Sequence, residues 1–168
     1  MIRTRRSALL AGCVALAFAA AAAPGLTPAF AADAPALTGS GVVMVKSAYG
    51  MDETIRRLKA DIADKKLMFF YEVDQAALAA AEGIEVRPSV LLNFGNPALG
   101  TLFVQARAEA GLDWPVRLLV SQDESGQVWA SYTDFAWIAR RHRIDNREAE
   151  FAKASEVIAS ITAAVAAP

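Results

Sequence analysis

The stretch Ser89-Val90-Leu91-Leu92-Asn93-Phe94-Gly95-Asn96-Pro97 reads as a strand that ends in a glycine turn and opens a helix. Its unbroken apolar centre suits a strand buried on both faces. Arg87-Pro88 breaks the chain just before it. Asn96 and Pro97 supply an N-cap and a first helical position, so the spacing predicts a helix to about Ala110, where Gly111 offers a stop.

Toward the N-terminus, the β-branched run from Val42 to Val45 predicts a strand over 41–48. Met51, Ile55, Leu58 and Ile62 recur at helical spacing, with Asp52 and Glu53 in the first turn and Lys65 and Lys66 at the end, as the helix dipole favours. Leu67 to Val73 reads as a second strand, and Asp74 to Glu82 as a short alanine-rich helix that Gly83 ends. Toward the C-terminus, Val116 to Ser121 and Gln127 to Thr133 flank Asp123-Glu124-Ser125-Gly126 as a hairpin. Trp129 and Tyr132 fall on opposite faces of its second strand. A short helix follows from about Phe135 to His142. Phe151, Ala154, Ile158, Ile161 and Val165 then form one stripe of a last, amphipathic helix. The order β-α-β-α-β-α-β-β-α-α predicts one compact α+β domain, its C-terminal helix packed on a mixed sheet.

The first residues carry a different message. Arg3, Arg5 and Arg6 precede the apolar run Ala8 to Ala23, followed by Pro24, Gly25 and a small-residue stretch ending Ala29-Phe30-Ala31. Charge, apolar run and an A-x-A site in that order read as a secretory signal over 1–31, cleaved between Ala31 and Ala32. The run, about 16 residues and mostly alanine, is short for a membrane span, which needs roughly 20. Two refinements compete within it. Thr4-Arg5-Arg6-Ser7-Ala8-Leu9 resembles a twin-arginine export signal, with Ala8 where a bulky apolar residue is usual, and Leu10-Ala11-Gly12-Cys13 resembles a lipoprotein box that would anchor the protein at Cys13. The expected mature chain is a periplasmic or secreted protein with no transmembrane segment, a flexible leader over 32–40 and a single domain over 41–168. Loss of Arg3, Arg5 and Arg6 leaves 14 basic against 18 acidic residues, a net charge of about −4. Such a balance argues against nucleic acid as a partner, because that affinity rests on phosphate neutralisation. Cys13, the single cysteine, departs with the signal, so the mature domain has no disulfide.

Several motifs together resemble the family known as domain of unknown function 302. They are Ser47, Thr54-Ile55-x-x-Leu58, Val73-Asp74 with Ala76 and Gly83, Pro88 through Pro97, and Gly111-Leu112-Asp113-Trp114-Pro115-Val116-Arg117. The resemblance covers roughly residues 41 to 143. Phe94-Gly95-Asn96-Pro97 and Leu112-Asp113-Trp114-Pro115 are its most specific pieces. It implies a compact α+β domain and, as for many small domains of this kind, a homodimer, and it brings no established activity. Where many members carry a histidine after the aspartate, this chain has Gln75.

Composition removes several chemistries. His142 is the only histidine, so Cys/His sites for zinc, copper or c-type haem are excluded within one mature chain, and no cofactor is implied. A Ser-His-Asp triad would have to use His142, and no G-x-S-x-G elbow presents a serine. Gly95-x-x-x-x-Gly100-Thr101 mimics half of a phosphate loop without its lysine.

The candidate binding residues are Phe94, Gly95, Asn96, Thr101, Asp113, Trp114 and Arg117. A strand-glycine-helix turn points free backbone N–H groups at the positive end of a dipole, which suits a small anion. Thr101 would add a hydroxyl and Arg107 or Arg117 a charge-assisted contact. The competing reading is local: Asn96 caps the helix, Gly95 permits a tight backbone and Pro97 sets the first helical φ. Asp113-Trp114-Pro115 is open in the same way, either stacking and orienting a planar ligand or covering a core edge. Arg140, Arg141, His142, Arg143 and Arg147 form a basic cluster that reads as a solvated helix end or as a surface for an anionic partner or membrane. Three functions remain in view: a non-enzymatic periplasmic domain that binds a small ligand or a protein, a hydrolase- or isomerase-like enzyme using backbone donors at the Gly95 turn with Asp113 as acid or base, and a structural partner in the cell envelope.

Overall fold

The computed structural model describes residues 35–166. The expected signal segment, with its cleavage site and Cys13, lies outside the described residues. One six-stranded sheet organises the domain, in the order β1-β2-β6-β5-β4-β3. The strands are β1 (Ala36–Leu37), β2 (Val42–Lys46), β3 (Met68–Asp74), β4 (Ser89–Gly95), β5 (Val116–Gln122) and β6 (Val128–Thr133). Interleaved with them are α1 (Met51–Asp64), α2 (Gln75–Ala81), α3 (Pro97–Ala106), a 3-10 segment (Ala108–Asp113), α4 (Phe135–His142) and α5 (Glu148–Ala163).

Every strand pair is antiparallel, where crossovers had suggested a mixed sheet. The physical reason is length. The 7-residue α2 spans about 10 Å at 1.5 Å per residue, whereas a 7-residue strand such as β3 extends over about 23 Å. A helix that short cannot carry the chain back to the start of β3, so β4 returns beside it in the opposite sense. Only α1 crosses the sheet, from the β2 side to the far edge at β3.

Two further expectations change in detail. Residues Ala36–Leu37, read as leader, pair with Met44 and Val43 of β2. The helix after Pro97 stops at Ala106, because Arg107 is extended (φ −148°) and the chain re-coils into the 3-10 segment, which runs through Gly111.

Cross-strand register explains the core. Leu92, Leu118, Tyr132 and Val43 lie in one row across the sheet, and all four are buried. Against this face pack Leu58 and Ile62 of α1, Ile138 of α4, and Phe151, Ala154, Ile158 and Ile161 of α5, the stripe that the period-3.6 pattern predicts. Phe103 of α3 stacks on Phe151 with centroids 4.1 Å apart. The next row over, Val73, Leu91, Leu119, Ser131 and Met44, faces the other way.

Polar side chains fix the connections. Ser47 and Thr54 share a buried hydroxyl–hydroxyl hydrogen bond of 2.7 Å, and the Thr54 hydroxyl donates to the Tyr49 carbonyl, tying β2 to α1. In the β5–β6 hairpin, Asp123 accepts from the Ser125 hydroxyl and the Trp129 indole N–H, at 2.7 and 2.8 Å. These two donors, with backbone N–H groups of Gln127 and Ser125, hold its carboxyl down at about 2.

Gly41 and Gly100 are positions where space is decisive. A Cβ on Gly41 would overlap the Trp137 ring, and one on Gly100 would overlap the Trp114 indole. Gly100→Ala is therefore expected to destabilise the domain by about 1–3 kcal/mol, the usual range for overpacking, in urea unfolding followed by circular dichroism. Gly39→Ala, where nothing lies within 4 Å of the added carbon, should change little.

Candidate functional site

The turn after β4 is closed by its own residues. Asn96 Oδ1 accepts the N–H of Ala98 at 3.0 Å and of Leu99 at 3.4 Å, while its carbonyl accepts the N–H of Gly100 at 2.8 Å. The donors that an uncapped helix start would offer to an anion are thus taken. The Thr101 hydroxyl donates to the Pro97 carbonyl at 2.7 Å, inside α3. The indole of Trp114 lies against Gly95 and Gly100, and Phe70 meets it edge-on with centroids 5.7 Å apart.

Beside this turn an open groove of about 540 Å³ runs between the sheet and α5. Leu67, Phe94, Leu99, Val116, Phe135 and Val157 give it apolar walls, and Gly95 and Asn96 form part of its edge. Lys65, Lys153 and Glu156 add charge. Lys65 pairs with Asp61 at 2.6 Å and Lys153 with Glu156 at 3.0 Å. The Lys153 pair is exposed and such pairs are worth about 0–1 kcal/mol, so that ammonium can be released to a ligand at little cost, whereas the Lys65 pair is partly buried.

On the other side of Val116 and Phe135 lies a charged cluster built on Asp113. Its side chain is only 3% exposed. Arg117 of β5 donates to Oδ1 at 3.1 Å, Arg141 of α4 reaches both oxygens at 3.2 Å, and His142 Nε2 lies 2.6 Å from Oδ2. A carboxylate oxygen in that position accepts, so His142 carries its proton on Nε2. The His142 side chain is 6% exposed, whereas the Arg117 and Arg141 side chains are about half exposed, at 49% and 44%. Arg141 also lies over the Trp137 ring, 5.5 Å from its centroid. Asp113, Arg117 and Thr133 line a niche of about 10 Å³, the size of one water.

The residues singled out in the sequence therefore divide. Phe94, Gly95 and Asn96 meet at the groove, Asp113 and Arg117 meet in the ionic cluster, Trp114 packs against the glycines, and Thr101 is exposed on α3 and lines neither. Arg141 and His142 belong to Asp113, not to a solvated helix end, and their separation of 28 and 29 residues hid this pairing. Of the groove walls, Leu67 and Phe135 stood in the sequence only as the starts of a strand and a helix, and Val157 carried no signal of its own. What could have suggested His142 is that it is the one imidazole, in the last turn of a short helix beside three arginines.

The elements define a small α+β domain in which one antiparallel sheet is packed by helices. The chain belongs to the family described as Domain of unknown function DUF302, which it matches over residues 43–167. The crystal structure of an uncharacterized conserved DUF302 protein from Bacillus stearothermophilus has the same fold, with a TM-score of 0.68 and 17% identity over 74% of this chain and 98% of that one. Two curated relatives are each 40% identical over 105 residues, which is 62% of this chain. They are the fluoride-specific ion channel FluC 1 of Brucella suis biovar 1 (strain 1330) and of Brucella abortus biovar 1 (strain 9-941), of which the match covers 41% and 39%. The chain thus spans about two-fifths of the length of the relatives it matches. Among its described residues no helix is long and apolar enough to cross a membrane.

Removing a buried partner leaves like charges facing each other. Asp113→Ala is expected to cost about 2–4 kcal/mol in urea unfolding, below the full cost of an orphaned buried pair because the arginines rehydrate. His142→Gln should cost about 1 kcal/mol. The double variant should lose less than the sum of the two, the mark of a direct contact in a double-mutant cycle.

Proposed function

We propose that this chain is an exported binding domain that holds a small amphiphilic ligand in the groove between the sheet and α5. The observation that carries this reading is the groove: an apolar trough of about 540 Å³ edged by the Gly95-Asn96 turn, with Lys153 engaged only in an exposed pair with Glu156. Its volume lies in the range of small-molecule sites, and its make-up, apolar walls with a few polar groups, is the usual one. The ligand's apolar body lies on Leu99, Val116 and Val157, and its polar or anionic end meets Asn96 and Lys153. Binding is favoured over turnover because both oxygens of Asp113 are engaged by Arg117, Arg141 and His142, on the far side of Val116 and Phe135.

A saturable one-to-one rise in 1-anilinonaphthalene-8-sulfonate fluorescence is expected for the folded protein. Val157→Trp, or the milder Ser160→Trp at the exposed end of the wall, should lower the affinity at least about tenfold with the thermal transition retained. Equal binding to both folded variants would remove the groove from consideration.

Export rests on the order of Arg3, Arg5 and Arg6, the Ala8 to Ala23 run and Ala29-Phe30-Ala31. The denatured mass of the protein from its native cell envelope is expected to begin at Ala32. A mass beginning at Met1, or one beginning at a lipid-modified Cys13, would replace this expectation.

A second reading is favoured by the curated relatives. A 105-residue match exceeds the 34 residues before the described part, so it must include much of the folded domain, which contains no membrane-crossing helix. On that reading the shared part is an accessory module of a membrane channel, and here it serves as a protein-binding partner in the envelope. Pull-downs would then recover a membrane protein while the groove stays empty of ligand.

A further inference from the structure

We propose that Arg117 and Arg141 form a second binding site, separate from the groove, for the phosphate group of a ligand. Two guanidiniums are held side by side by one carboxylate, since both donate to Asp113 Oδ1, at 3.1 and 3.2 Å. Neighbouring like charges repel, and a surface that only needed an ion pair would use one arginine. Two arginines on one carboxylate leave an excess of at least one positive charge. On the elements that meet here, Arg140 and Arg143 add to it, and Glu109 and Asp134 offset it.

The arrangement is also pre-set. Asp113 is buried and anchored a second time by His142, so it cannot follow the arginines away. Arg141 is fixed between Asp113 and the Trp137 ring, which itself rests on Gly41. Arg117 extends from β5, and with Thr133 of β6 it lines the niche beside Asp113. Each guanidinium has five N–H donors and uses only one nitrogen on the carboxylate, which leaves further donors on side chains that are about half exposed. Convergent guanidinium forks match a tetrahedral oxyanion in charge and geometry, and rigid placement removes the entropy cost of gathering them. The niche itself, about 10 Å³, is too small to enclose a phosphate, so the anion lies on its mouth, against the two forks.

The test follows the Arg Nε–H resonances of the whole mature protein by NMR during titration with inorganic phosphate. Saturable shifts of Arg117 and Arg141 are expected. Arg117→Gln and Arg141→Gln should each weaken binding about tenfold or more, in line with one charge-assisted contact. Arg141→Lys keeps the charge and loses the fork, so it should fold normally, as a thermal melt will verify, and still bind more weakly. Arg56→Gln, on the exposed face of α1, should leave binding unchanged. Co-sedimentation with phosphatidylglycerol vesicles separates the sources. Phosphate binding without sedimentation identifies a soluble phosphate, and sedimentation lost in the Arg117 and Arg141 variants identifies a lipid headgroup. Neither phosphate shifts nor sedimentation, or equal loss in Arg56→Gln, would overturn the proposal.

Discussion

The indole of Trp114 packs against the backbone of Gly95 and Gly100, and most of what surrounds the two candidate sites depends on that contact. It joins three elements that are neighbours in space but not all in sequence: the end of β4, the first turn of α3 and the start of β5. Only glycine leaves room for the ring at position 100. With Trp114 seated, the residue before it, Asp113, is brought into reach of α4, and Val116, two residues on, enters the wall of the groove. Phe70 at the bulge in β3 meets the ring in a T-shaped contact. One aromatic contact thus sets the spacing between an apolar trough and a charged cluster.

The two sites differ in how their parts are held. The groove is made by packing: Phe94 and Val116 stand opposite each other in the β4–β5 register, and α5 supplies the facing wall, itself fixed by the Phe103–Phe151 stack and by Ile158 and Ile161 in the core. Of its polar groups, Lys153 is weakly engaged and free to exchange, while Asn96 Oδ1 is held in the cap of α3. The Asp113 cluster is held by charge in a partly dry setting, where a hydrogen bond is stronger than in water and an unpaired group is expensive. That is why its carboxylate is buried while its arginines remain half in solvent. Rigid inside and open outside, the cluster has the character of a support for exposed donors.

Much of the fold is legible in the sequence wherever a local period carries the information. The α5 stripe, the α1 spacing, the Asp123 hairpin and the β4 turn all follow from residues within a few positions of one another. Strand direction is not local in this sense. It depends on whether α2 is long enough to span β3, and a count of alternating elements does not ask that. The stop at Arg107 was also hidden, because an extended residue between two helical turns carries no glycine or proline signal. For the sites, Phe94, Gly95 and Asn96 were visible through their turn chemistry, and Asp113 and Arg117 through the Asp-Trp-Pro motif. The pairing of His142 and Arg141 with Asp113 was not, because a basic run at a helix end looks solvated until the 3-10 segment is placed beside it.

A ligand held in the groove beneath α5 would travel with the folded domain. Native mass spectrometry of the protein isolated from its own cell envelope without refolding, set against its denatured mass, tests this most directly. An excess mass of one small molecule that disappears on denaturation and is absent from Val157→Trp is expected. A native mass equal to that of the bare chain, or to whole multiples of it, would contradict the claim and favour a domain that works by binding another protein.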